Sequence, residues 1–281
     1  KEEWYKEIQS LHSDFEKVQQ FSDLNDASDN FNFVKNLEEN LKNSMEKLKS
    51  FNQRETLFEL QLSDKSELQG MIDEFDPFNK LWTNANNFKD NSSIWVNEKK
   101  LSDMNSKDAD EIASSIDRWS KDCAILKKKL LEKSPEAVSA IDTLKENLNE
   151  FQEYVPLVKA IANEAWNEDH WKKLYSIAST PDEEQDPKHE TVMSLVSKKM
   201  NNYIEEIQEI SHRAQREFKL KQTLERMKKE AEAQVLPVIP YKDTYIIETV
   251  EDLQAILDEQ ITSVQAMKSS PYAKPIERQC R

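Results

Sequence analysis

Glycine is nearly missing: Gly70 is the single one in 281 residues. Tight primed turns and phosphate-cradling loops lean on glycine, so a chain with one glycine can hold few of the former. It cannot spell the G-x-x-x-x-G-K-[ST] phosphate loop at all. Elements must be joined by Asn, Asp, Ser and Pro, and the chain reads as all-α. Cysteine is scarce too. Cys123 and Cys280 are the whole supply, neither has a metal-ligand neighbour at the usual spacing, and the pair reads as thiols of a reducing compartment. No apolar run reaches the length of a membrane span and no signal peptide is visible. The motifs G-x-S-x-G, H-E-x-x-H and C-x-x-C do not occur. Lys, Trp and Tyr do not interleave as a base-stacking platform. A net charge of −15 opposes nucleic acid or an anionic membrane as partner. We therefore expect no catalytic residue, no metal and no cofactor. Lys1 is not a natural first residue, so a fragment or processed chain is expected.

What is present is helical seam. The length suits about two ordinary domains, and 37% hydrophobic against 33% charged residues is polar but patterned. Trp4, Ile8, Leu11, Phe15 and Val18 recur at alternating steps of four and three, an a/d seam. That helix should end in the polar residues 25–30. Val34, Leu37, Leu41, Leu48 and Phe51 form a second stripe, with Met45 on the same face after a one-residue drift. Neither is long enough for a free coiled coil, which points to packing within a bundle. Ser63 or Asp64 should cap the next helix, and Pro77 should kink or divide it. After a polar break over residues 101–110, Ile112, Ile116, Trp119, Cys123, Leu126 and Leu130 make the cleanest seam of the chain. Cys123 lies inside it and reads as a small core residue. Ser134-Pro135 is a cap followed by a first-turn proline, and Ile141, Leu144, Leu148, Phe151 and Val155 follow as a buried stripe. His170 beside Trp171 invites a chemical reading, but no second ligand or base accompanies it. Trp171 as core anchor, with His170 bonded to a helix end or backbone carbonyl, is the plainer one. Residues 180–188, with Pro181 and Pro187, read as a loop. A long amphipathic helix then carries Tyr203, Ile207, Ile210, Ala214, Phe218 and Leu224. The basic group Lys219, Lys221, Arg226, Lys228 and Lys229 on it is a solvated or salt-bridged face, or else a contact for an acidic neighbour such as tubulin.

The pattern changes from helix to strand once, near residues 235–250. Leu236, Val238 and Ile239 are interrupted by Pro237 and Pro240; Tyr241-Lys242-Asp243 supplies a turn; Tyr245-Ile246-Ile247 is aromatic and β-branched. This predicts a small β-hairpin. Thr249 reads as the cap of the following helix, with Asp252 as its first-turn acid, and Leu253, Ile256, Leu257 and Ile261 share a face. An isolated hairpin is marginal in water, so it should pack against helices on either side, with Ile246 and Ile247 alternating inward and outward.

These residues carry a resemblance. The order Tyr241-Lys242-Asp243-Thr244-Tyr245-Ile246-Ile247, Asp252-Leu253-Gln254, Leu257-Asp258-Glu259-Gln260, Gln265-Ala266-Met267 and Ser270-Pro271-Tyr272 with Pro275 resembles the dynein heavy chain. The match is to the start of the linker, the helical lever before the AAA ring. Two departures stand out: the family usually has a glycine in the hairpin turn, and Phe where this chain has Ile276. Asn52-Gln53-Arg54-Glu55-Thr56-Leu57-Phe58 is similar to axonemal heavy chains, as is the run through Leu68, Ile72, Phe75, Phe78, Trp82 and Trp95. Pro156 leading to His170-Trp171 is similar as well, with Asp169 where an Arg is usual. Ile207, Ile210, Ala214 and Glu217 echo a linker helix whose usual Trp, just after the Met227 position, is missing here.

The resemblance implies an elongated array of helical bundles with one hairpin near residues 235–250. It implies a stem-proximal bundle over residues 1–133 and the N-terminal part of the linker over 134–281. The function implied is that of a non-catalytic lever of a ciliary, axonemal motor. The residues implied to serve it mechanically are His170, Trp171, Tyr245, Ile246, Asp252, Gln254, Pro271 and Tyr272. Its partners would be the AAA ring of the same chain and other dynein heavy, intermediate or light chains, with microtubules reached through the parent motor. A spectrin-like or coiled-coil scaffold is the alternative, which constant-length repeats would favour; none is seen.

Overall fold

The computed structural model describes residues 2–177, 186–234, 238–247 and 250–277. Leu236, Pro237, Thr249, Cys280, residues 178–185 of the expected loop and the side chain of Asp252 lie outside the described residues.

Helix α1 (Glu2–Gln19) buries the whole predicted seam from Trp4 to Val18. It stops before residues 25–30, because Phe21 turns into the core and Asp23 caps a 3-10 turn by accepting from Asn25 N at 2.8 Å. Helix α2 (Ala27–Leu57) packs back on α1. Ser44 is fully buried on that face, its hydroxyl accepting from the Trp4 indole N–H at 2.9 Å, and Met45 packs partly buried against the same cluster. The end of α2 is closed by left-handed Glu59 (φ 54°): Glu59 N reaches Thr56 O, and Leu60 N reaches Glu55 O at 2.8 Å, the pairing of a Schellman stop.

The N-cap of the next helix is Lys65, with no side-chain capping bond, and not Ser63 or Asp64; Asp64 stands one residue earlier and accepts from Ser66 N at 2.9 Å. Helix α3 (Ser66–Ser93) runs through Pro77 undivided. A proline inside a helix costs about 3 kcal/mol; here it is offset by Phe75 and Phe78, whose rings pack edge-on against Phe15 at 6.0 and 5.6 Å. A short π-helical turn and a 3-10 turn lead to α4 (Ser106–Leu130), opened by an Asn105/Asp108 capping box. All six residues of its predicted seam are buried. Trp119 stacks on Trp95 at 6.0 Å, and burial raises the Cys123 thiol to about 11, as fits a core residue. Buried Asp122 ties α4 to α3 through Lys80 at 2.5 Å and Asn84 at 3.1 Å.

Ser134 caps α5 (Pro135–Gln152) at Ala137 N and also donates to Gln19 O at 2.6 Å, closing the loop back to α1. Short helices α6 (Val155–Ile161), α7 (Glu168–Ile177) and α8 (Val192–Ser197) follow. One continuous cluster of buried side chains runs from Trp4 to Ile207, with members on both sides of the 133/134 boundary. Helix α9 (Ile204–Glu232) extends beyond that cluster to a second, small one: Leu224, Ala273 and Ile276, with Leu220, Val264 and Met267 against it.

The hairpin is present: β1 (Val238–Tyr241) pairs antiparallel with β2 (Thr244–Ile247), Ile239 opposite Ile246. Pairs alternate between hydrogen-bonded and non-bonded along such a ladder. Pro240, next to the turn-closing pair Tyr241–Thr244, therefore falls where no donor is needed. Lys242 takes the left-handed backbone (φ 54°) in the turn where the resembling family carries glycine. Helix α10 (Val250–Lys268) and a 3-10 turn complete the described chain.

The accessible surface is 18224 Å², against about 12,500 Å² for a compact monomer of this mass. An all-α array extended beyond one globule is the architecture, with one hairpin as its β element among the described residues.

Candidate functional site

The predicted residues fall in three places. His170 and Trp171 lie on α7, in the joint with α9. Asn167 opens α7 by accepting from His170 N at 3.1 Å, and Asn167 N donates in return to His170 Nδ1 at 3.2 Å. Nδ1 is thereby an acceptor, so the imidazole proton sits on Nε2 and faces Glu217 Oε2 of α9 at 3.1 Å. Arg213, one turn earlier on α9, donates to the other Glu217 oxygen at 2.9 Å. The expectation that His170 lacks a second partner is thus corrected: Glu217 supplies it, 47 residues on. Burial holds His170 below its usual range, against the pull of Glu217 and with Lys173 and Arg213 reinforcing the shift; the ring is neutral and the contact is a hydrogen bond.

A histidine oriented by a carboxylate is half of an acid–base device. Here it is 1% exposed, and no Ser, Thr or Cys side chain among the described residues bonds to it. What the arrangement does is lock two helices. Asn163 adds to the joint by donating to Ser211 Oγ at 3.2 Å. Trp171 lies against Trp166 at 4.6 Å, whose indole N–H donates to Ala160 O at 3.1 Å.

Tyr272 marks the second place. Arg216 of α9 donates to its hydroxyl at 2.9 Å and sits over its ring at 5.0 Å, which clamps the turn carrying Ala273 and Ile276 onto α9. Pro271, at the start of that turn, is exposed.

The third place is the hairpin with the first half of α10, and here the expectation of packing is overturned. Every strand residue is exposed; Tyr245 reaches 71%, and Ile246 and Ile247 both face solvent at 41% and 38% instead of alternating. On α10 Gln254 is exposed, and so are Ile256, Leu257 and Ile261; among the described residues the apolar cluster with α9 takes Val264 and Met267 from this helix. The small α9–α10 cluster reaches Leu224 on α9 and takes in no strand residue. A second apolar stretch lies open where α2 turns into α3. Leu57 and Phe58 are 78% and 69% exposed, while neighbouring Glu55 is buried and accepts from Ser63 N at 2.7 Å. Contiguous exposed apolar surface marks interaction sites, and a seam search that sorts apolar positions into cores passes over such surface. The basic group Lys219, Lys221, Arg226, Lys228 and Lys229 of α9 is exposed and among the described residues makes one weak pair, Arg226 to Glu230 at 3.8 Å; it forms a solvated face.

The fold thus defines a class: an extended helical scaffold, locked internally by polar ties and open to neighbours on apolar faces. Residues 68–281 match the family described as dynein heavy chain, N-terminal region 2, and the chain belongs to the dynein heavy chain family. It is 28% identical over 250 residues to dynein axonemal heavy chain 1 of Rattus norvegicus, covering 88% of this chain and 5% of the relative. It is 27% identical over 250 residues to dynein axonemal heavy chain 1 of Homo sapiens, with 88% and 6% covered. It is 25% identical over 284 residues to dynein axonemal heavy chain 12 of Rattus norvegicus, with 98% and 9% covered. The chain spans less than a tenth of the length of these relatives. The spectrin-like alternative falls to the family match. Among the described residues no helix is long and apolar enough to cross a membrane.

Proposed function

We propose that this segment is a non-catalytic stem-to-linker lever of an axonemal dynein heavy chain, coupling ATP turnover in the AAA ring of the same polypeptide to movement along microtubules in the cilium. The observation that carries the reading is the match of residues 68–281 to the N-terminal region of that family. The physical character of the chain supports it. A lever must pass force between its ends without flexing at its joints, and α7 and α9 are joined by the buried His170–Glu217 bond. It must also engage moving neighbours, and the exposed faces of the hairpin and α10 are the surface for the ring or for other heavy, intermediate or light chains. ATP binding and hydrolysis belong to the ring in this reading, and calorimetry of the isolated segment with ATP should show no binding.

The test uses the full-length heavy chain with Ile256→Gln, Leu257→Gln and Ile261→Gln together. These side chains are exposed, so the fold is undisturbed. Basal ATPase is retained and microtubule gliding slows. Unchanged gliding, or a parallel loss of ATPase and gliding, defeats the reading.

A further inference from the structure

A cavity of about 710 Å³ opens along α7, with Asn163, Trp166, Trp171 and Tyr175 in its lining. One wall is the segment around Leu101 to Asn105, held in place by Leu101 N bonding Glu190 O at 3.0 Å and Ser102 N bonding Pro187 O at 3.1 Å. The opposite wall is aromatic. Trp166, Trp171 and Tyr175 follow one another, Trp166 to Trp171 at 4.6 Å and Trp171 to Tyr175 stacked at 6.3 Å and 26°. Tyr175 is buried, with Lys198 Nζ 5.8 Å from its ring centroid and with Glu190 beside its hydroxyl.

The charge around the cavity is unbalanced. Asp103, Glu164, Glu168 and Asp186 line it against Lys172 and Lys188. Three carboxylates elsewhere are paired: Asp122 with Lys80, Asp142 with Lys127, Glu190 with Lys198. Glu164 and Glu168 have no cationic partner among the described residues, and Asp103 accepts only from the Ser102 hydroxyl at 3.0 Å. Aromatic faces attract a cation by their quadrupole, Trp most strongly, and Arg is the commoner guest. Unpaired carboxylates at the mouth complete the recognition of a guanidinium or ammonium group. The volume lies within the range that holds a ligand of several residues, more than one side chain fills.

We propose that this cavity is a docking site for a basic peptide segment of a partner protein, which places an arginine or lysine side chain against Trp166 and Trp171 and its charge between Glu164 and Glu168. The surface differs from the apolar face of α10 in place and chemistry, and the inference does not depend on the lever reading.

Six tryptophans make the test internal. The 281-residue chain is labelled with ¹⁵N at its indoles and titrated with an acetylated, amidated Gly-Arg-Arg-Arg-Gly peptide at about 0.15 M salt, where long-range attraction is screened. The Trp166 and Trp171 resonances move and saturate; Trp4, Trp82, Trp95 and Trp119, in the helical core, do not. The same peptide with citrulline in place of arginine leaves all six unmoved. The pair Glu164→Gln/Glu168→Gln weakens binding by at least about tenfold, roughly 1.4 kcal/mol, and the pair Glu251→Gln/Glu259→Gln on α10 does not. Unmoved Trp166 and Trp171 overturn the proposal. So do equal binding of the citrulline peptide, which removes the charge from the argument, and equal weakening by the two glutamate pairs, which reduces the effect to net charge.

Discussion

Glu217→Ala is the perturbation that most exposes how the α7–α9 joint is held. Glu217 accepts from His170 Nε2 and Arg213 Nε. Removing it leaves the buried imidazole N–H without an acceptor, a cost of about 1–3 kcal/mol. The Arg213 contact, one helix turn away with its donor half in solvent, adds only about 0.3–0.5 kcal/mol. A loss of roughly 2–3 kcal/mol is therefore expected, read from urea unfolding followed by circular dichroism. The sharper quantity is the coupling. In His170→Ala/Glu217→Ala the orphaned partner is gone, so the double variant should lose less than the sum of the singles by about 1–2 kcal/mol, within the range for contacting residues. The pH dependence follows from the lowered His170 value. The unfolded chain takes up the proton at the ordinary 6.5 while the folded chain resists it, so the contribution is fully present above 6.5 and is lost as pH falls toward the lower folded value. Below pH 6.5 the unfolding midpoint of the wild-type chain should drop more steeply than that of His170→Ala. Additivity of the two substitutions within about 0.5 kcal/mol, or equal pH slopes, would refute the reasoning.

Trp119→Ala should cost about 3–5 kcal/mol, since the ring is buried against Trp95 and Phe88; an equilibrium loss below about 1 kcal/mol would place the α4 seam at the surface. Cys123, buried and with its thiol raised to about 11, should resist alkylation at pH 8 in the folded chain and react in urea, as read by peptide mass spectrometry; labelling at a free-thiol rate in buffer would count against the core assignment. Lys242→Gly should relieve the left-handed backbone of the turn and steady the hairpin by about 1 kcal/mol, seen as roughly fivefold slower amide exchange at Ile246; faster exchange would mean that the turn is not strained by its side chain.

Much of this fold is written in local pattern. The seam from Ile112 to Leu130, the Ser134-Pro135 start and the hairpin turn at Lys242-Asp243 each follow from spacing within a few turns of chain, where periodicity and capping chemistry act. What was not legible depends on partners distant in sequence. Pro77 leaves α3 whole because Phe75 and Phe78 find Phe15, on another helix. Ser44 enters the core because Trp4, 40 residues earlier, needs an acceptor for its indole N–H. His170 looked partnerless because Glu217, noted only for its place in the resemblance, sits on a separate helix 47 residues on. The hairpin failed differently: its apolar faces match a packed element in every local respect, and only the three-dimensional position of the small α9–α10 cluster shows that they stay open. Of the residues singled out beforehand, His170, Trp171 and Tyr272 make contacts to neighbouring elements, whereas Tyr245, Ile246, Gln254 and Pro271 are surface.

The central claim is that this segment moves as a lever when the ring turns over ATP. Gln254, exposed on α10, can carry a dye through Gln254→Cys in a full-length heavy chain, with a second dye on the ring. Single-molecule energy transfer between them, recorded without nucleotide and with an ATP-state analogue, should report two separate distances, each tied to one nucleotide state. A single distance that ignores the nucleotide while the ring still hydrolyses ATP would contradict the account.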